Sequence, residues 1–200
     1  MPQYDFISGP AGRLQTLYRE SDSGHPAVLV CHPHPQYGGT MHNKVTYRIA
    51  KAFSDKGHPV LRFNFRGVEL SEGEWDDGVG ESEDARACLD WLAQRHATIW
   101  LAGFSFGAYA GLKAATQDER VERLFAVAPA LSLYDFFFFD SERRPLTVVH
   151  GSEDEIVPYA QVQRWAMART NVRLYAIEGA GHFFPKHMSE MLAALLTGVD

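Results

Sequence analysis

The chain has 200 residues, 46% hydrophobic and 22% charged, with a formal net charge of −6. That composition is globular and excludes a largely disordered chain. The acidic balance excludes the basic face that a sequence-independent nucleic-acid binder or a polybasic membrane anchor requires.

In chain order, Met1-Pro2-Gln3-Tyr4-Asp5-Phe6 carries no basic segment followed by an apolar one, so no signal peptide is expected. Residues 3–8 and 14–19 can pair as a hairpin across Gly9-Pro10-Ala11-Gly12. Short, nearly continuous apolar runs then recur at 27–31, 60–65, 99–102, 124–127, 146–149 and 172–177. Such runs suit strands covered on both faces of a parallel sheet. Helical patterns fall between them, at about 43–56, 81–96, 105–116, 159–169 and 182–197; in the second, Ala85, Leu89 and Leu92 share one face. Strand–helix alternation predicts an α/β sheet of about eight strands, mostly parallel, mixed at one edge and covered by helices on both faces. Residues 69–83, with Gly73, Gly78 and Gly80 among acids, read as a surface loop. No repeat or linker divides the chain, and residues 1–200 are expected to form one domain. The greasiest stretch, 124–139, is interrupted by Pro129, Ser132 and Asp135, too short and broken for a membrane span. Cys31 and Cys88 have no paired spacing and read as buried free thiols of a cytoplasmic protein.

Gly103-Phe104-Ser105-Phe106-Gly107 lies between a strand pattern and a helix pattern. A Gly-x-Ser-x-Gly turn there holds the serine exposed in a strained geometry, at a helix N-terminus that favours a developing negative charge. The alternative is a glycine turn with a capping serine. A serine nucleophile needs a base, and the base an orienting carboxylate. Asp154, just past the strand 146–149, is the expected acid, with Glu153 and Glu155 as alternatives. His182, after Gly179-Ala180-Gly181, is the expected base; its other reading is a cap or surface residue at the last helix. The order Ser105, Asp154, His182 is that of α/β hydrolases and not of chymotrypsin or subtilisin.

Two N–H groups must hold the oxyanion. One is expected from Phe106, next to the nucleophile. The other is expected from the loop His32-Pro33-His34-Pro35-Gln36-Tyr37, where the prolines lack N–H groups and His34 is the first donor beyond His32; Gln36 and Tyr37 come next. His32, His34 and His42 show no convergent metal spacing, so no metal and no cofactor are expected. No Gly-x-Gly-x-x-Gly follows the first buried strand, which sets aside a nucleotide-binding module.

Together the triad segments, His32-Pro33 and Asn64-Phe65-Arg66-Gly67 resemble the α/β-hydrolases. The stretch His32 to Lys44, with Gly38-Gly39-Thr40-Met41, and the segment Tyr134-Asp135-Phe136 resemble a bacterial group of small dienelactone-hydrolase-like serine hydrolases. The resemblance covers nearly the whole chain and implies an eight-stranded sheet, a Ser–Asp–His triad and activity on small esters. Dienelactone hydrolase itself uses a cysteine nucleophile where this chain has Ser105, so its reaction does not carry over.

Many α/β-hydrolases insert a helical cap before the acid-bearing strand. Here the interval 130–144 has room for a loop or short helix only, so an open, lidless site is expected. Phe136-Phe137-Phe138-Phe139 lies in it; Phe136 and Phe137, with Leu131, Tyr134 and Tyr37, are expected to line the substrate pocket. An exposed aromatic patch there would also favour a homodimer. The expected function is a serine esterase acting on small-molecule esters through an acyl-enzyme, with no nucleic-acid or membrane partner. A peptidase, thioesterase or acyltransferase would use the same triad; a non-catalytic interaction module on a hydrolase fold is the remaining rival.

Overall fold

The structure is a computed structural model and describes residues 4–116 and 118–199. It opens with the expected hairpin: β1 (Asp5–Gly9) pairs antiparallel with β2 (Gly12–Arg19), with Gly9 opposite Gly12 across a two-residue turn. Gln3, assigned to the first strand from sequence, lies outside the described residues. The remaining strands are β3 (Ala27–Cys31), β4 (Val60–Phe63), β5 (Ile99–Phe104), β6 (Val121–Val127), β7 (Leu146–Gly151) and β8 (Val172–Ile177). They form one eight-stranded sheet in the order β1-β2-β4-β3-β5-β6-β7-β8, parallel from β4 to β8.

The crossover helices are α1 (Lys44–Asp55), α2 (Val79–Ala93), α3 (Phe106–Ala115) and α4 (Tyr159–Met167); α5 (Met188–Leu195) ends the fold. Successive strand residues point to opposite faces, which divides the core in two. Leu29, Cys31 and Leu101 pack with Ala85 and Leu89 of α2, Leu112 of α3 and Val162 of α4. Val28, Val30 and Ala102 pack with Ile49 and Phe53 of α1 and Met191 and Leu195 of α5. Every residue of β3 is buried, which accounts for its unbroken apolar run. Cys31 and Cys88 are buried free thiols. Among the described residues, no helix is long and apolar enough to cross a membrane.

Two boundaries differ from expectation. Helix α2 starts at Val79, inside the stretch expected to be loop, because the Glu81 carboxylate accepts from the N–H groups of Gly78 (2.7 Å) and Asp76 (3.0 Å) and closes the first turn. Conversely, 182–187 is not helical and α5 begins at Met188. Phe184 there has φ 49°, which a right-handed helix cannot hold, and Ala180 is pressed against the end of β7 so closely that a Cβ on Gly151 would overlap the Ala180 carbonyl. Between β6 and β7 the chain makes a loop and a short 3₁₀ turn, Phe137–Ser141, and no cap domain.

Candidate active site

Ser105 stands between β5 and α3 with φ 54° and ψ −117°, a conformation rarely adopted by a residue with a Cβ. Its N–H donates to the Val127 carbonyl at the end of β6 (2.9 Å), and its side chain makes no capping bond, which removes the capping-serine reading. The flanking glycines permit the turn. A Cβ on Gly103 would overlap the backbone of Gly107 and Ala108, and one on Gly107 the carbonyls of Cys31 and His32. Helix α3 can therefore abut the end of β3 only where that side chain is missing.

His182 reaches the serine from the loop after β8, with Nε2 3.0 Å from Ser105 Oγ. Its Nδ1 lies 2.7 Å from Asp154 Oδ2. A carboxylate oxygen only accepts, so Nδ1 carries the proton and Nε2 faces the hydroxyl with its lone pair. Asp154 Oδ1 accepts from the N–H groups of Ile156 (2.9 Å) and Val157 (2.7 Å). Burial alone would raise the Asp154 pKa; the hydrogen bonds from His182 and from these two N–H groups outweigh it and hold the carboxyl below the usual range. Of the alternative acids, Glu153 is exposed. Glu155 is also exposed; its Oε2 accepts from the His182 N–H (3.1 Å) and so anchors the histidine loop instead. His182 is buried and precedes α5 by a turn, so it is neither a cap nor a surface residue.

His150, in β7, presses on the same carboxylate. Its Nε2 is 2.8 Å from the Val157 carbonyl and 3.3 Å from Asp154 Oδ2, two acceptors that only a protonated Nε2 satisfies. Its Nδ1 is buried without a hydrogen-bond partner, and burial lowers its pKa.

The loop after β3 is tied down by its first histidine. His32 Nδ1 donates to the Pro33 carbonyl (2.6 Å) and Nε2 accepts from the Phe65 N–H (3.1 Å); the ring is wholly buried and its pKa falls to about 3. Downstream, the Tyr37 and Gly39 N–H groups donate to the His34 carbonyl, Gly38 to Pro35, and Gln36 to His34 Nδ1. Among the described residues, the His34 N–H has no partner. The first N–H groups of a helix likewise lack an intrahelical acceptor, which leaves that of Phe106 open at the start of α3. Gln36 and Tyr37, the other candidate donors, are thus already engaged.

Ser105 and His182 open into a cleft of about 350 Å³, lined by His34, Tyr37, Phe106, Tyr134, Leu133, Ile156 and Phe183 among others. Of the five residues expected along this wall, Tyr37 and Tyr134 are there. Leu131, Phe136 and Phe137 are corrections. Leu131 is buried in the core, and its carbonyl accepts from Gln161 Nε2 on α4 (2.9 Å). Phe136 is buried against Tyr109, Phe138 and Trp165. Phe137 opens the 3₁₀ turn, whose tight winding throws its ring outward, 77% exposed. Leu133, Ile156 and Phe183 were not anticipated, although Ile156 and Phe183 sit within two residues of Asp154 and His182.

A strained serine between strand and helix, hydrogen-bonded through a histidine after β8 to an acid in the loop after β7 of this sheet order, defines an α/β hydrolase. The family model described as X-Pro dipeptidyl-peptidase (S15 family) matches residues 16–143, a span that holds Ser105 but ends before Asp154 and His182. The chain belongs to that family of α/β serine hydrolases, within their small lidless group. It is 37% identical to an uncharacterized protein of Rickettsia prowazekii over 98% of this chain and 87% of that one. Among solved structures it is similar to an α/β serine hydrolase homologue from Coxiella burnetii, with 38% identity, TM-score 0.89, and 99% and 97% of the two chains covered. A lidless α/β serine hydrolase from Xanthomonas campestris matches with 35% identity and TM-score 0.88, over 98% and 93% of the chains.

Proposed function

We propose that the protein is a serine esterase that cleaves small carboxylic esters through an acyl-enzyme on Ser105. The observation that carries this reading is the unbroken chain from Ser105 Oγ to His182 Nε2 (3.0 Å) and from His182 Nδ1 to Asp154 Oδ2 (2.7 Å), at the floor of an open cleft. His182 Nε2 takes the hydroxyl proton as Oγ attacks the ester carbonyl carbon. The carbonyl oxygen gains the negative charge and is held by the N–H groups of Phe106 and His34. Collapse of this intermediate breaks the bond to the alcohol, which leaves with the proton from His182. A water molecule then gives a proton to His182 and attacks the acyl carbon, and Ser105 departs with that proton while the acid is released. Asp154 fixes the imidazole tautomer and stabilises the cation that forms at each step.

Esterase is favoured over aminopeptidase-type cleavage by the cleft's lining. A dipeptide with a free N-terminus carries an ammonium group that a selective site would meet with a carboxylate. Among the described lining residues there is none. The test is hydrolysis of p-nitrophenyl acetate and butyrate beside Ala-Pro-p-nitroanilide. Ester turnover should fall on the order of 10⁴-fold or more in Ser105→Ala. Equal rates in variant and wild type would refute the assignment, and faster turnover of the anilide would make the protein a peptidase.

A further inference from the structure

Among the described residues, those that wall the Ser105 cleft carry no formal charge. Its mouth is framed by exposed apolar side chains, Tyr37, Leu133, Ile156 and Phe183. Among the described residues lining it, none is Lys, Arg, Asp or Glu. The remaining polar groups are committed or neutral. Asn43 Oδ1 accepts from the N–H groups of Val45 and Thr46 at the start of α1. The His34 ring packs against Trp75 with centroids 4.6 Å apart and against Phe106 at 5.1 Å, and burial lowers its pKa, which keeps it uncharged. His182 already faces the Asp154 carboxylate.

We propose that this cleft selects esters that are uncharged throughout and turns away those bearing a free carboxylate. The proposal rests on the esterase reading and adds the substrate class. A carboxylate entering the cleft gives up its hydration and meets no counter-ion, a loss that an apolar wall does not offset. Fixed charges behind the walls act in the same direction. Glu81 and Asp77 both bear on the Tyr134 phenol, and Glu155 sits behind the His182 loop. Of the cations near this wall, Lys113 donates from Nζ to Tyr109 Oη (3.2 Å) and is separated from the cleft by the Tyr109 ring, which stacks on Tyr134 at 4.5 Å. Arg66 is held by Asp84 through two of its nitrogens (2.8 Å and 3.0 Å). The whole chain, at a net charge of −6, repels anions at longer range as well.

The experiment compares mono-p-nitrophenyl adipate with its methyl ester and with p-nitrophenyl hexanoate. The chains are nearly matched, and the methyl ester removes the charge while adding one methyl group. The adipate should show kcat/KM about 100-fold below the methyl ester, as expected for a desolvated and unpaired charge. In Leu133→Arg, which sets a cation at the mouth, the ratio of adipate to hexanoate turnover should rise by about tenfold whatever the absolute rates. Adipate and methyl ester turned over within about threefold of each other by the wild type would overturn the proposal while leaving the esterase standing. No turnover of any of the three, together with no labelling by a fluorophosphonate, would overturn the esterase reading and the proposal with it.

Discussion

Asp154 is the most heavily hydrogen-bonded side chain of the site. Two imidazoles face its Oδ2 and two backbone N–H groups its Oδ1, so the carboxylate stays ionised although it is buried. The backbone pair fixes its position independently of the histidines. Asp154→Asn should therefore keep its place, lose the Nδ1–H acceptor or present an N–H to it, and stabilise the wrong imidazole tautomer. Ester kcat is expected to fall on the order of 10⁴-fold, and the midpoint of urea unfolding at pH 7 should fall modestly, because the stabilisation of the ionised carboxylate is lost. At this scale the sequence was informative. Ser105, Asp154 and His182 are separately ambiguous residues, but each follows an apolar run, and their order leaves few alternatives. Leu131, Phe136 and Phe137 were not legible, because four adjacent phenylalanines carry no periodicity that separates a wall from a core or a surface.

The loop from β4 to α2 supports the loop after β3 from behind. Phe65 N–H bonds His32, and Trp75 stacks on His34. That loop is itself fastened to α2 by Arg66, whose backbone N–H and guanidinium both bond Asp84, with the two side chains 7% and 0% exposed. Gly80 leaves the space: a Cβ there would overlap the guanidinium. Without Asp84, Arg66 keeps only the longer contacts to exposed Glu83 (3.5 Å) and Asp76 (3.8 Å), which reduces the cost of breaking the buried pair below the roughly 3–5 kcal/mol of a charge left wholly unpaired. Asp84→Ala is expected to lose about 2–3 kcal/mol of stability in urea titration and to lower ester turnover through the displaced loop, and an unchanged midpoint would contradict the role. In sequence this element showed only as the Asn64-Phe65-Arg66-Gly67 segment and as acids and glycines in 69–83, and nothing in the spacing pairs Arg66 with Asp84.

Across the molecule, five histidines (His32, His34, His58, His96 and His150) have pKa values lowered chiefly by burial, His32 to about 3. In the unfolded chain a histidine takes its proton near ~6.5, whereas in the fold each of these takes it at a lower pH. Between those values the unfolded state binds more protons, so stability falls as pH falls. Each group contributes at most about 1.4 kcal/mol per pH unit. A second loss follows at lower pH. Asp154, Asp118 and Glu142 have lowered values, and their contribution, present above ~3.9–4.3, disappears as pH drops through the folded-state values. The urea midpoint should already decline between pH 7 and 5, before the carboxylates titrate. A midpoint constant to pH 5 would show that the fold does not lower the proton affinity of these rings.

The sequence by itself determined the alternation of buried strands and amphipathic helices, the antiparallel edge, the missing cap and the three side chains, Ser105, Asp154 and His182, that the fold joins by hydrogen bonds. Those features are local. They follow from runs of side chains that one face or both must bury, and from glycine turns that only a missing Cβ permits. Tertiary structure alone decided that Leu133, Ile156 and Phe183 line the cleft in place of Leu131, Phe136 and Phe137, where α2 and α5 begin, and that His150 and Glu155 flank the Asp154–His182 pair. Each of these depends on which chain segments meet at the carboxyl ends of β3, β5, β7 and β8. That meeting is set by the packing of distant elements, and no spacing along the chain encodes it.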